Sequence, residues 1–235
     1  MVRVVKNYAV RRNEILDVAQ RLMTTKGYET MTVQDILDGL GISKGAFYHY
    51  FSSKQELLEA IIARLLDMSE QMLAPIIADP SLTALEKFER LFTAISDWKT
   101  AQKGFVLALL KVWYHDDNAI VRSKLRLTMI RRITPLLAAI IRQGVEEGVM
   151  TCSLPDQAGD VALHLIYDLS DEVALLMLAY RPGVDDLQCF ANSIAAYTEA
   201  LERVLGAPRG SLSLFNMDLM QEWIVSLEEY AQAVQ

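Results

Sequence analysis

The chain has 235 residues, 52% of them hydrophobic and 23% charged, with a formal net charge of −7, so it can bury a sizeable core as one large or two modest domains. No apolar run approaches the ~20 residues of a membrane span and no apolar leader is present, which predicts a soluble cytoplasmic protein. Cys152 and Cys189 lie far apart in apolar patterns, pointing to buried reduced thiols and away from a disulfide or a metal site.

The charge is unevenly divided. Residues 1–54 carry eight Lys or Arg against five Asp or Glu, a balance of +3, which leaves −10 for the remainder. A phosphate-seeking end joined to an acidic body fits this division.

Residues 1–10 read as a loose basic arm. The stretch Thr32 to Lys54, TVQDILDGLGISKGAFYHYFSSK, reads as two short helices joined by a glycine-marked turn and followed at once by a third. Thr32 caps a helix whose inward positions are Val33, Ile36, Leu37 and Leu40, and Asp35 stands at capping-box spacing. Gly39 and Gly41 are expected to stop it, Ile42 plugs the turn, and Ser43 caps the next helix. Over Ser43 to Phe51, helical spacing puts Phe47 and Phe51 on one side, flanked by Tyr50 and Lys44, and Gly45 and His49 on the other, bordered by Ala46 and Tyr48. Two small residues backed by a phenol and an imidazole suit close approach to base edges, with Tyr48 and His49 donating to phosphates. Ser53 to Glu56 forms a further capping box, opening a helix that buries Leu57, Leu58, Ile61, Ile62 and Leu65. Lys54 sits in its first turn, where the helix end and its own charge can both hold a phosphate.

Pro75, Asp79 and Pro80 mark a break, after which every strong pattern is helical. Leu85, Phe88, Leu91, Phe92 and Ile95 recur at helical spacing; Gly104 to Tyr114 is a second run. Asp117 or Asn118 opens a third that reaches about Gly144, with a kink expected at Pro135. Two long helices follow, Asp156 to Tyr180 and Asp185 to Leu205, then an amphipathic tail, NMDLMQEWIVSLEEYAQ. The fold class is therefore all-α: a three-helix helix-turn-helix head, assigned to 1–54, and a larger helical body over 55–235.

The stretch from Arg11 to Leu58 resembles the N-terminal domain of the TetR family of bacterial one-component transcriptional regulators. The residues that carry the resemblance are Ile15, Leu16, Ala19, Leu22, Gly27, Tyr28, Thr32, Ile36, Gly41, Ile42, Ser43, Gly45, Tyr48, Phe51, Lys54, Glu56 and Leu57. It implies a first helix over RRNEILDVAQRLMTTKGYE and a recognition helix over Ser43 to Tyr50. Lys44, Gly45 and Ala46 would then lie nearest the bases, Tyr48 and His49 along the backbone, and Thr32 and Lys54 would clamp phosphates on either side. The chain departs from the family at Met23, Leu37 and Leu40, which are core exchanges, and at Tyr50, where a histidine is frequent.

The penultimate helix pair is more apolar than one surface stripe requires, and small residues such as Ala191, Ala195 and Ala196 allow close approach in a four-helix bundle shared by two chains. The resemblance also implies dimerisation through the last long helices. A twofold dimer demands a palindromic operator on double-stranded DNA. The resemblance further implies a cavity for a small-molecule effector, for which Phe92, Trp98, Trp113, Tyr114, His164, Asp168 and Asp171 are the nominated residues; Phe88, Phe105, Met129 and Leu137 supply similar apolar lining. His164, Asp168, Asp171 and Glu172 form a polar stripe on a greasy helix, and buried carboxylates need a partner. An arginine such as Arg131 or Arg132 supplies one; a cationic ligand is the alternative. The expected regulator is a repressor released by its effector, with no cofactor, no metal and no enzymatic activity. Two other readings compete: a helical enzyme, for which no catalytic motif is present, and an adaptor binding proteins through Trp223, Ile224 and Leu227.

Overall fold

The computed structural model describes residues 7–181, 188–215, 222, 223, 225 and 226. Its α-helices are α1 (Tyr8–Lys26), α2 (Val33–Leu40), α3 (Lys44–Tyr48), α4 (Lys54–Ala78), α5 (Ala84–Ala101), α6 (Lys103–Trp113), α7 (Ala119–Glu146), α8 (Pro155–Ala179) and α9 (Gln188–Leu205), with a 3-10 turn at Asp116–Asn118. No strand occurs among the described residues, and no helix there is long and apolar enough to cross a membrane. The start expected at Asp185 and most of the amphipathic tail lie outside the described residues.

Several boundaries differ from the sequence reading, each for a local reason. The first helix starts at Tyr8 and not at Arg11, because the Asn7 side chain accepts from the Ala9 amide at 3.1 Å and caps it. The part of the basic arm before Asn7 lies outside the described residues. Gly39 does not stop α2: it lies within the helix, where a Cβ would meet Val18 Cγ1 at 3.0 Å, so its smallness lets α1 and α2 approach. The stop is Gly41 alone, at φ 62° and ψ 38°, with its amide donating to the Leu37 carbonyl. Helix α4 runs through Pro75 to Ala78; a proline this near the end removes only one bond from the last turns. Helix α7 likewise continues through Pro135 as one element.

The chain divides into two compact units: the described parts of Met1–Leu66 with Gly104–Leu125, and those of Asp67–Lys103 with Arg126–Gln235. The head's unit thus reaches beyond residue 54. Its core joins Ile15, Leu16, Ala19 and Met23 of α1, Ile36 and Leu37 of α2, Phe47 of α3, Phe51, and Leu57, Leu58 and Ile61 of α4 with Phe105 and Val112 of α6. Met23 and Leu37 are buried there and Leu40 packs against it, so these three departures from the family pattern are core exchanges as expected.

In the second unit α8 packs along α9, burying Ala162, Leu169, Val173 and Met177 against a helix that buries Phe190, Ile194, Leu201 and Leu205. Lys87 is only 5% exposed; its ammonium donates to the Ile77 carbonyl and to Gln143 Oε1, both at 2.7 Å. Gln143 donates in turn to the Leu82 carbonyl at 2.7 Å and to Glu147 Oε1 at 2.6 Å, while Glu147 Oε2 accepts from the Ala84 amide at 2.9 Å. This network ties the end of α4 and the start of α5 to α7. Both cysteines are free thiols, but Cys189 is exposed and not buried as its apolar neighbours suggested.

Candidate nucleic-acid interface

The turn that presents α3 is built from short-range hydrogen bonds. At the start of α2, Thr32 Oγ1 accepts from the Asp35 amide at 3.2 Å, and Asp35 Oδ2 accepts from the Thr32 amide at 2.7 Å and its hydroxyl at 2.8 Å. The Lys26 ammonium reaches Asp35 Oδ1 at 2.7 Å. These contacts hold the Asp35 carboxyl well down, from its ordinary 3.8 to about 2, with the Lys26 bond the largest cause. Ser43 caps α3 by accepting from the Ala46 amide at 3.3 Å.

Helix α3 is shorter than the spacing predicted, ending at Tyr48, with His49 and Tyr50 in the turn beyond. The face assignment holds. Phe47 and Phe51 are fully buried, while Ser43, Lys44, Gly45, Tyr48 and His49 are exposed and Ala46 is half-buried. A Cβ built on Gly45 would meet nothing within 4 Å, so nothing inside the protein requires glycine there. Tyr48 is 47% exposed, and the Lys44 ammonium sits 5.9 Å from its ring centroid. This exposed strip offers a cation, a phenol and an imidazole around a bare patch of backbone, a surface suited to phosphates at its edges and close approach at its centre.

The two predicted clamps are more committed than the sequence suggested. The Thr32 hydroxyl already donates to Asp35 at 2.8 Å. The Lys54 ammonium folds over the Tyr28 ring, 4.1 Å from its centroid, and donates to the Glu29 carbonyl at 3.2 Å; burial lowers its pKa. Tyr28, half-buried beneath it, donates to the Lys54 carbonyl at 3.4 Å and is pushed up to about 12 by burial. In the capping box of α4, Ser53 accepts from the Glu56 amide, but Glu56 Oε2 returns to Ser52, accepting from its amide at 2.7 Å and its hydroxyl at 2.6 Å. Sequence reasoning passed over Tyr8, whose ring lies against His49 and Tyr50. The usable signal was Asn7, a capping residue immediately ahead of it.

The nominated effector residues fall in both units. Trp113 packs on the head core and Tyr114 lies 5.4 Å from the Arg122 guanidinium, both in the first unit. Phe92 and Trp98 are half-buried on α5. The polar stripe on α8 has its arginine, but it is Arg126, at 2.5 Å from Asp168 and 2.7 Å from Asp171; Arg132 instead holds Asp67 and Glu70. The stripe is not dry, since His164, Asp168 and Glu172 are exposed, and the His164 ring lies 2.8 Å from the Asp160 carbonyl within its own helix. Two open clefts occur within the units, about 260 Å³ beside Tyr28, Lys54 and Asn118 and about 320 Å³ beside Cys152, Gln157 and Val204; no nominated effector residue lines either. Trp223, offered above as an adaptor contact, is buried, with the Lys103 ammonium 5.8 Å from its ring; Ile224 and Leu227 lie outside the described residues.

A capped short helix that buries Phe47, is followed by a buried Phe51 and bares a small-residue face is the second helix of a helix-turn-helix, the motif of a class of DNA-binding proteins. Residues 15–61 match the family model described as bacterial regulatory proteins, tetR family. The curated relatives include the HTH-type transcriptional repressor KstR2 of Mycobacterium tuberculosis, 29% identical over 78% of this chain and 88% of that protein. They also include KstR2 of Rhodococcus jostii, 28% identical over 74% of this chain and 81% of that one. A solved TetR-family transcriptional regulator from Pectobacterium atrosepticum shares the fold with a TM-score of 0.62, at 22% identity over 87% of this chain and 100% of that one. The head of the chain, residues 15–61, matches the TetR family, which makes the protein a DNA-binding transcriptional regulator; the curated relatives are regulators and not enzymes.

Proposed function

We propose that the protein is a repressor that binds a palindromic operator as a homodimer and is released by a small-molecule effector. The observation that carries the DNA half is the open face at Gly45, framed by Lys44, Tyr48 and His49. Residues 1–54 supply the recognition elements and 55–235 the effector and dimer functions, with α6 completing the head's core. Repression is favoured by the curated relatives, which are named repressors.

The dimer reading is supported by apolar residues left on the α8–α9 pair: Val161 and Leu175 on α8 are 47% and 50% exposed, and Ala195 and Ala196 on α9 are exposed too. Two chains joined there by a twofold axis would set their recognition helices about 34 Å apart on one face of the duplex. Effector release follows if the ligand binds one arrangement of the dimer more tightly than the other. Phe92, Trp98, Trp113 and Tyr114 are the aromatic groups nominated to meet it; Asp168 and Asp171 already share the Arg126 guanidinium, so neither carboxylate is left without a cation beside it. Such a regulator acts in the cytoplasm, where its DNA is.

Selection from random-sequence duplexes tests the proposal. Enrichment of an inverted repeat, bound by a species of twice the chain mass in light scattering, is the expected result. Enrichment of a single half-site by a monomer overturns the dimer reading. Screening metabolites by thermal shift, then repeating the DNA titration with each binder, tests release; unchanged affinity with every binder overturns it.

A further inference from the structure

The first residue of α1 belongs to the same aromatic group as the end of the recognition helix. The Tyr8 ring lies 4.7 Å from that of Tyr50, tilted by 37°, and 5.8 Å from His49, edge-on at 82°. His49 and Tyr50 complete the triangle, 5.0 Å apart at 81°. Asn7 makes this possible by capping α1 immediately ahead of Tyr8, which fixes the Tyr8 backbone in helical geometry and aims its ring. The three rings are unequal in exposure: Tyr50 is half-buried, His49 exposed, and Tyr8 52% exposed. A half-exposed tyrosine contributes little to the core, so stability alone does not explain this placement.

His49 follows the last residue of α3 and has no i,i+4 helix continuing past it to hold its ring. A side chain in a turn has several staggered χ1 states open to it, and fixing one costs entropy when a ligand must do it. Packing against the neighbouring rings of Tyr8 and Tyr50 restricts the imidazole before DNA arrives.

We propose that Tyr8 is a positioning residue for DNA recognition, its ring holding His49 and Tyr50 in the orientation in which they meet the phosphate backbone. This rests on the DNA-binding assignment of the head and extends it to a residue on a different helix. The contact is ring to ring, so phenylalanine serves as well as tyrosine, whereas alanine leaves His49 unsupported.

The test uses the full-length protein and a duplex selected by the wild type from a random-sequence library, with an unrelated duplex of equal length as control. Tyr8→Ala is expected to weaken binding of the selected duplex by about three- to tenfold, the scale of one aromatic pair, with an unchanged melting midpoint. Tyr8→Phe is expected to restore wild-type affinity. The His49 ring-proton resonances should shift in Tyr8→Ala and not in Tyr8→Phe. Wild-type affinity in Tyr8→Ala overturns the proposal while leaving the DNA-binding assignment intact. A Tyr8→Phe variant as weak as Tyr8→Ala also overturns it, because the hydroxyl and not the ring would then be the working group. Failure of the wild type to select any duplex overturns both.

Discussion

The Lys54 ammonium lies 4.1 Å from the centroid of the Tyr28 ring, so a cation expected to grip DNA is already held by an aromatic face at the start of the α1–α2 connection. An ammonium has three donors, and among the described residues one of them is used in a hydrogen bond, to the Glu29 carbonyl. The clasp therefore orients the charge and leaves it able to meet a phosphate. Lys54→Met keeps the stem and removes the charge. If Lys54 binds a phosphate, the slope of log affinity against log salt falls by about 0.9; an unchanged slope would make the residue a clasp only.

Gly45→Ala separates folding from recognition. The added methyl meets nothing within the protein, and alanine is the better helix former by about 1 kcal/mol, so the melting midpoint should hold or rise. Operator affinity should fall at least tenfold, because the methyl stands where the groove approaches. Gly41→Ala should do the reverse, costing about 1 kcal/mol of stability through its positive φ. Equal DNA affinity of Gly45→Ala and wild type would remove the close-approach role.

Asp35 makes the head acid-sensitive in a defined window. Its carboxyl is held at about 2 by Lys26 and Thr32 against an ordinary 3.8 in the unfolded chain. A lowered carboxylate contributes stability that is complete above 3.8 and is lost as the pH falls through 3.8 toward about 2. Urea unfolding across that interval should show a smaller loss in Asp35→Asn than in wild type. Parallel losses would place the acid sensitivity elsewhere.

Two cations in the second unit should differ sharply when replaced by methionine. Lys87→Met strands the Ile77 carbonyl and the Gln143 amide oxygen in a partly buried site and should cost about 2–3 kcal/mol. Arg126→Met breaks the pair with Asp168 and Asp171 at a partly exposed position and should cost at most about 1 kcal/mol. Urea titration of both variants checks the ordering; a larger cost at Arg126 would mean that the α8 stripe is buried in the working assembly.

The amino-acid sequence alone determined whatever is decided within three or four residues: the Thr32–Asp35 and Ser43 caps, the stop at Gly41, the burial of Phe47 and Phe51, and the bare side of α3. Capping bonds and helical faces arise from neighbours along the chain, and their geometry is the same wherever the helix sits. Only the tertiary structure decided which distant groups meet: Arg126 and not Arg131 or Arg132 beside Asp168, Lys54 over Tyr28, Gly39 against Val18, Tyr8 against His49, and α6 as part of the head's core. Each depends on where separate helices cross, and the sequence pattern supplies several arginines, lysines and aromatics of equal local merit. Close packing chooses among them, because voids forfeit contacts and buried polar groups need partners, and both depend on which helices meet.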